Sequence, residues 1–144
     1  MIKLPHTYRM FGLLFALASA FLVPVFAAEP LPTRVGDLVA TPEHFNGKFI
    51  KVTAYVRADG RHLFVLLDQT DSDQGVALLI PETARRDAAV IDLMRHIYVP
   101  PREFMSRQVK GTFTGAFEWR PGMVPSRVLS LAHVEGIEIT KIGN

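Results

Sequence analysis

Two stretches of strict alternation constrain the fold more than any other feature of these 144 residues. In KFIKVTAYVR, residues 48–57, Ile50, Val52, Ala54 and Val56 fall on one face, and Phe49, Lys51, Thr53, Tyr55 and Arg57 fall on the other. Successive side chains of a strand point to opposite faces, so a period of two predicts a half-buried strand with an amphipathic outer face. QVKGTFTGAFE, residues 108–118, repeats the pattern. Val109, Gly111, Phe113, Gly115 and Phe117 oppose Lys110, Thr112, Thr114, Ala116 and Glu118. Two glycines on the inward face predict sharp coiling or the close approach of another backbone.

Three further strands are predicted. HLFVLLD (62–68) is almost continuously apolar, and GVALLIP (75–81) ends at Pro81. Val128–Ile139 is the last strand, with a bulge expected near Ala132–His133, where its apolar positions change phase. Ahead of them, 34–46 reads as a helix-and-turn lead-in with Val35, Leu38 and Val39 on one face, closed by the turn pair Asn46-Gly47. Thr83–Ile97 predicts a single helix with Thr83 as N-cap and a buried stripe of Ala84, Ala88, Ile91 and Met94; YVPP (98–101) stops it. Strand, strand, strand, helix, strand, strand is the connectivity of the OB-fold. The expected fold is therefore mainly β, a five-stranded OB-fold Greek-key barrel over 35–144 with a helix between strands three and four.

The N-terminus reads as a Sec-type export signal over 1–27. Lys3, His6 and Arg9 precede the apolar run Met10–Val23; Pro24 breaks that run, and Val25 and Ala27 occupy the −3 and −1 positions of a cut after Ala27. The run to Ala28 is also nearly long enough to span a bilayer. Cleavage and retention as an anchor both remain open, with Pro24 and the small-residue pattern favouring cleavage. Residues 28–34 (AEPLPTR) are expected to form a loose tether. The chain has no cysteine, which excludes a disulfide framework and a lipid-anchored lipoprotein. Sixteen Lys and Arg face 14 Asp and Glu. Losing Lys3 and Arg9 with the signal leaves a neutral domain, without the basic excess of a nucleic-acid binder. The expected location is periplasmic or secreted, with no membrane span after signal removal.

The stretch DQTDSDQG (68–75) raises a calcium loop, with Asp68, Asp71 and Asp73 as weak ligands. Gly75 falls one position early for such a loop, and VALLI follows where its distant bidentate glutamate is needed. A polar hairpin tip between strands two and three is the simpler reading. His44, His62, His96 and His133 show no ligand-pair spacing. No cysteine and no G-x-S-x-G elbow supports nucleophilic catalysis. No catalytic residue, metal or cofactor is expected.

The binding expectation follows from the fold. OB barrels take ligands across strands two and three, framed by the one–two and four–five loops. Those loops are RADGRH (57–62) and WRPGMVPSR (119–127), expected to bring Arg57, Arg61, His62, Trp119, Arg120 and Arg127 toward one end of the barrel. Trp119 beside Arg120 suits stacking on a sugar, base or peptide aromatic; equally, Trp119 can pack down as a lid on the core.

TPEHFNGKFIKVTAYV resembles the opening of small exported bacterial OB-fold proteins of uncharacterised function. They share a Pro-Glu-x-aromatic-x-Gly-Lys turn that leads into an alternating strand. The likeness extends in outline over 35–140, through QVKGTFTG and the Ile-Glu-Ile ending. It implies fold and compartment and carries over no site residue. The resulting expectation is a non-catalytic exported binding module for a glycan, peptide or oligonucleotide. The alternative is a structural or envelope-stress module that docks a protein partner through Phe45, Phe49 and Tyr55. A metal protein or enzyme is the third reading.

Overall fold

In the computed structural model of the chain, residues 29–58 and 63–143 are described. Their elements run β1 Leu31–Thr33, α1 Val35–Ala40, α2 Pro42–Phe45, β2 Phe49–Ala58, β3 Phe64–Leu67 and β4 Val76–Leu79. A 3-10 turn Ala84–Arg86, α3 Ala88–Ile97, α4 Pro101–Met105, β5 Arg107–Trp119 and β6 Arg127–Lys141 follow. The protein is mainly β. β2 pairs antiparallel with β3, β3 with β4, and β5 with β6, while β4 runs parallel to β6. β5 then returns to pair antiparallel with β2, so the six-stranded sheet closes partly into a ring. The five strands expected from sequence are β2–β6, and the helical segment falls between β4 and β5 as expected.

The alternation in β2 and β5 does what period two requires. Ile50, Val52, Ala54 and Val56 are buried, as are Val109, Gly111, Phe113, Gly115 and Phe117. They meet Leu66, Val76, Leu78, Leu129, Leu131 and Val134 from the other strands inside one hydrophobic core. Of the two inward glycines, Gly115 is the one whose missing side chain the fold needs. A Cβ there would sit 2.0 Å from the Ser130 carbonyl oxygen, on the neighbouring β6 backbone. At Gly111 the nearest atom would be the tip of the Phe113 ring, at 3.4 Å.

β6 stays apolar-side-in by slipping twice. The register against β5 shifts between Thr114 and Gly115, leaving Ala132 as the extra residue, where the sequence placed a bulge. It shifts again between Lys110 and Thr112, opposite the positive-φ residue Gly136, which the sequence reading missed. Each bulge inserts one residue and reverses the phase, so the inward positions run Leu129, Leu131, Val134 and Ile137.

Two expectations need correction. Leu31–Thr33 is not loose tether. It forms β1, parallel to β2 at Ile50–Val52, on the stretch of that edge that β3, paired at Tyr55–Ala58, leaves uncovered. The single helix from Thr83 is two elements. Thr83 has right-handed helical angles and no capping bond. The N-cap is Asp87, with extended backbone, whose carboxylate accepts from the Ala89 and Val90 amides at 2.8 and 3.2 Å. Ala84 is buried as expected, but Ala88 and Ile91 are exposed and Met94 only half-buried. The sequence carries two apolar stripes at helical spacing, and the one that packs inward is Val90, Leu93 and Ile97. The export signal lies outside the described residues. Among the described residues no helix is long and apolar enough to cross a membrane.

This packing makes two substitutions informative. Gly115→Ala is expected to destabilise the fold by about 2 kcal/mol or more, because backbone must move, while Gly111→Ala costs clearly less; denaturant unfolding of both variants decides. The second concerns Asp87. The hydrogen bond from the Val90 amide holds its carboxyl below the ordinary value of 3.8, against an opposing effect of burial, with help from the Ala89 amide and His133. A depressed folded value contributes stability that is present above 3.8 and lost as pH falls through the folded value. The thermal-midpoint advantage of the native chain over Asp87→Asn should therefore shrink from roughly pH 5 to pH 2; a constant difference contradicts it.

Candidate binding site

The antiparallel β2–β5 register decides where the expected loop residues go. Phe49 lies opposite Ala116, and Val56 opposite Val109. Arg57, just past Val56, is thus at the end of the ring where β5 begins, whereas Trp119 is where β5 finishes. Thirteen residues of strand span about 40 Å when extended. Arg57 therefore does not join Trp119, Arg120 and Arg127 at one end, as the loop positions alone suggested. Arg61 and His62 lie outside the described residues.

Of the described members of that set, Arg57, Trp119 and Arg120 each make a local hydrogen bond. Arg57 is exposed, and its Nη1 donates to the Ser72 carbonyl oxygen at 2.9 Å, tying β2 to the β3–β4 hairpin loop. Trp119 is half-buried against the core. Its backbone N–H donates to Asn46 Oδ1 at 2.9 Å, and it faces Arg127 across the β5–β6 pairing. Arg120 donates from Nη2 to Glu118 Oε2 at 2.7 Å, which raises the guanidinium's pKa and lowers the carboxyl's. The Nε of Arg127 is buried and has no hydrogen-bond partner among the described residues. Of the two readings of Trp119, packing against the core agrees with the lid.

The acidic stretch is a hairpin loop between the antiparallel strands β3 and β4. Asp71 and Asp73 are exposed. Asp68 serves a distant element: its Oδ1 accepts from the Val35 amide at 2.9 Å and its Oδ2 from the Gly36 amide at 2.7 Å, capping α1 from the end of β3. Those are the unpaired donors at a helix start. His133 Nδ1 lies 3.4 Å from Asp87, and His96 Nε2 3.7 Å from Asp92. Among the described residues no three His, Cys, Asp or Glu side chains gather as a metal-ligand set.

A cleft that loop reasoning missed opens at the Arg57 end. It holds about 780 Å3, within the usual range for small-molecule sites. Its floor is core: Val56, Phe64, Leu67, Ile97, Phe104 and Val109 are buried and line it. Phe64 meets Tyr98 edge-on at 5.2 Å and lies 6.1 Å from Phe104, so an aromatic cluster runs from floor to rim. Its rim is made of exposed apolar side chains: Leu63, Tyr98, Met105 and Ile142. α4 holds one wall, and the Ile142 amide donates to the Ser106 carbonyl at 2.9 Å, bringing the C-terminal segment to the opening. The sequence signal was Pro100-Pro101. Read as a helix stop, it also starts the next helix, with proline in the first turn, and projects Phe104 and Met105.

A second groove, of about 990 Å3, runs over the outer face of β2, β5 and β6. Its charged groups largely satisfy one another. Lys51 pairs with Glu135, whose carboxyl this hydrogen bond lowers, and the Lys110 ammonium sits 5.3 Å over the Tyr55 ring. The Thr53 and Thr112 hydroxyls bond at 2.8 Å.

Comparison of the chain with protein-family models, with curated proteins and with solved structures returns no match.

Replacing Asp68 with alanine is expected to cost about 1 kcal/mol in chemical denaturation, the usual effect of losing a helix cap. Millimolar calcium should leave the native chain's thermal midpoint where a chelator leaves it. A calcium-dependent rise abolished by Asp68→Ala would restore the metal reading.

Proposed function

We propose that this chain is an exported, non-catalytic binding module of the OB-fold class, and that its ligand enters the apolar cleft between β2, α3, α4 and β5. The fold assignment rests on the pairing order β2-β3-β4-β6-β5 and back to β2, with the helices between β4 and β5. That is the order of a five-stranded Greek-key barrel, to which β1 is an added edge. The resemblance of the 41–56 stretch to small exported bacterial OB-fold proteins supports it, and the signal-like N-terminus supports a periplasmic or secreted location.

One observation carries the site. Four of the molecule's exposed large apolar side chains, Leu63, Tyr98, Met105 and Ile142, converge on a single concave opening with an apolar floor. Water-exposed apolar side chains scattered singly mean little; gathered around a cavity, they mark a binding surface. The outer-face alternative is weaker. Phe45 belongs to the core, Phe49 is half-buried, and Tyr55 lies under Lys110.

The test is saturable binding of Nile red, an uncharged apolar dye. Met105 is 77 % exposed, so Met105→Asp should leave folding intact and weaken dye binding about ten-fold by placing a charge at an apolar mouth. Val124, 98 % exposed in the β5–β6 loop, gives the control: Val124→Asp should bind as the native chain does. Equal affinity in all three proteins would refute the cleft as the site.

A further inference from the structure

The lining of the cleft says what sort of apolar ligand suits it. Against a surface that is otherwise mainly hydrophobic stand two guanidinium groups, Arg57 and Arg107. No aspartate or glutamate is among the described residues that line it. Such a cavity offers a chain an apolar floor and offers an anion the Arg57 guanidinium together with the spare donors of Arg107, whose charge Glu103 already pairs from α4.

Both arginines are held in place and both retain donors. Arg107 has a side chain only 16 % exposed, and Glu103 holds it from α4 through an ion pair to Nη2 and a bond from Nε to the Glu103 carbonyl at 3.3 Å. Arg57 spends Nη1 on the Ser72 carbonyl. A guanidinium carries five N–H groups, more than either set of bonds consumes. A planar, pre-positioned fork of this kind suits a carboxylate, and a partly buried one is screened little by water.

We infer that the cleft takes a single-chain amphiphile with an anionic head, an acyl carboxylate, its chain on the floor made by Phe64, Phe104 and Val109 and its head within reach of Arg57 and Arg107. This rests on the cleft being the binding site. A cationic amphiphile meets the Arg57 guanidinium as like charge, and a neutral one leaves the spare donors of Arg57 and Arg107 without an anion. Chain length should matter as well, since each further buried methylene tightens binding by up to about four-fold.

The experiment is displacement of Nile red from the full chain by dodecanoate, dodecanol and dodecyltrimethylammonium, the ionic two below their micelle concentrations and the alcohol below its solubility. Dodecanoate should displace the dye at a concentration about ten-fold or more below dodecanol, the gain of a charge-assisted hydrogen bond, with the ammonium weakest. Arg57→Gln and Arg107→Gln should each raise the dodecanoate concentration several-fold while moving dodecanol little. Arg57→Gln, at an exposed site, keeps the test valid if Arg107→Gln fails to fold. Equal displacement by dodecanoate and dodecanol overturns the anionic head and leaves the cleft standing. Displacement by none of the three overturns the amphiphile, while the dye comparison with Met105→Asp and Val124→Asp decides the cleft by itself.

Discussion

The antiparallel pairing of β2 with β5, from Phe49↔Ala116 to Val56↔Val109, turns an open sheet into a partly closed ring, and the placement of everything else follows from it. β2 is hydrogen-bonded to β5 along one side and shares its other side between β1 and β3. Little of its edge is left for another chain to pair with. Within the ring β6 lies close enough to β5 that only glycine fits at 115, and the bulges of β6 at Ala132 and Gly136 keep its apolar residues facing inward. The ends of the ring must then be covered. α3 lays Val90, Leu93 and Ile97 on the core, and α4 adds Phe104 beside a cleft. The candidate site is thus a consequence of closure, the place where helix and strand ends meet without filling the space.

The parts legible in the sequence were those governed by local periodicity. Ile50 to Val56 and Val109 to Phe117 announced two strands and their buried faces, and the broken phase at Ala132 announced a bulge. Register was not legible. Knowing that RADGRH and WRPGMVPSR are loops does not say at which end of the ring each lies. Only the pairing of Val56 with Val109 puts Arg57 and Trp119 apart. Nor does local sequence choose between Ala88-Ile91-Met94 and Val90-Leu93-Ile97, since both have helical spacing; what α3 packs against chooses. Leu31–Thr33 reads as tether because a short strand with a proline has weak propensity of its own, and its pairing with Ile50–Val52 supplies what propensity lacks.

The same distinction separates the two acidic and aromatic features that first draw the eye from the feature that proves more informative. Asp68 looks like a metal ligand in a one-dimensional motif and acts as a cap for the amides of Val35 and Gly36, more than thirty residues away. Trp119 looks like a stacking platform and leans on the core. The cleft is assembled from the end of β2, the start of β3, the α3–α4 junction, the start of β5 and Ile142. No single segment of it is a motif, so only the folded chain brings its apolar rim and its two arginines together.

The proposed ligand site lies at the end of the ring where β2 finishes and β5 begins, and amide chemical-shift mapping of the nitrogen-labelled chain, titrated with dodecanoate, distinguishes it from the opposite end. The largest shifts should fall at Val56–Ala58, Ile97–Val99 and Met105–Val109. Shifts concentrated instead at Asn46 and Trp119–Arg127 would place binding at the opposite end and refute the cleft.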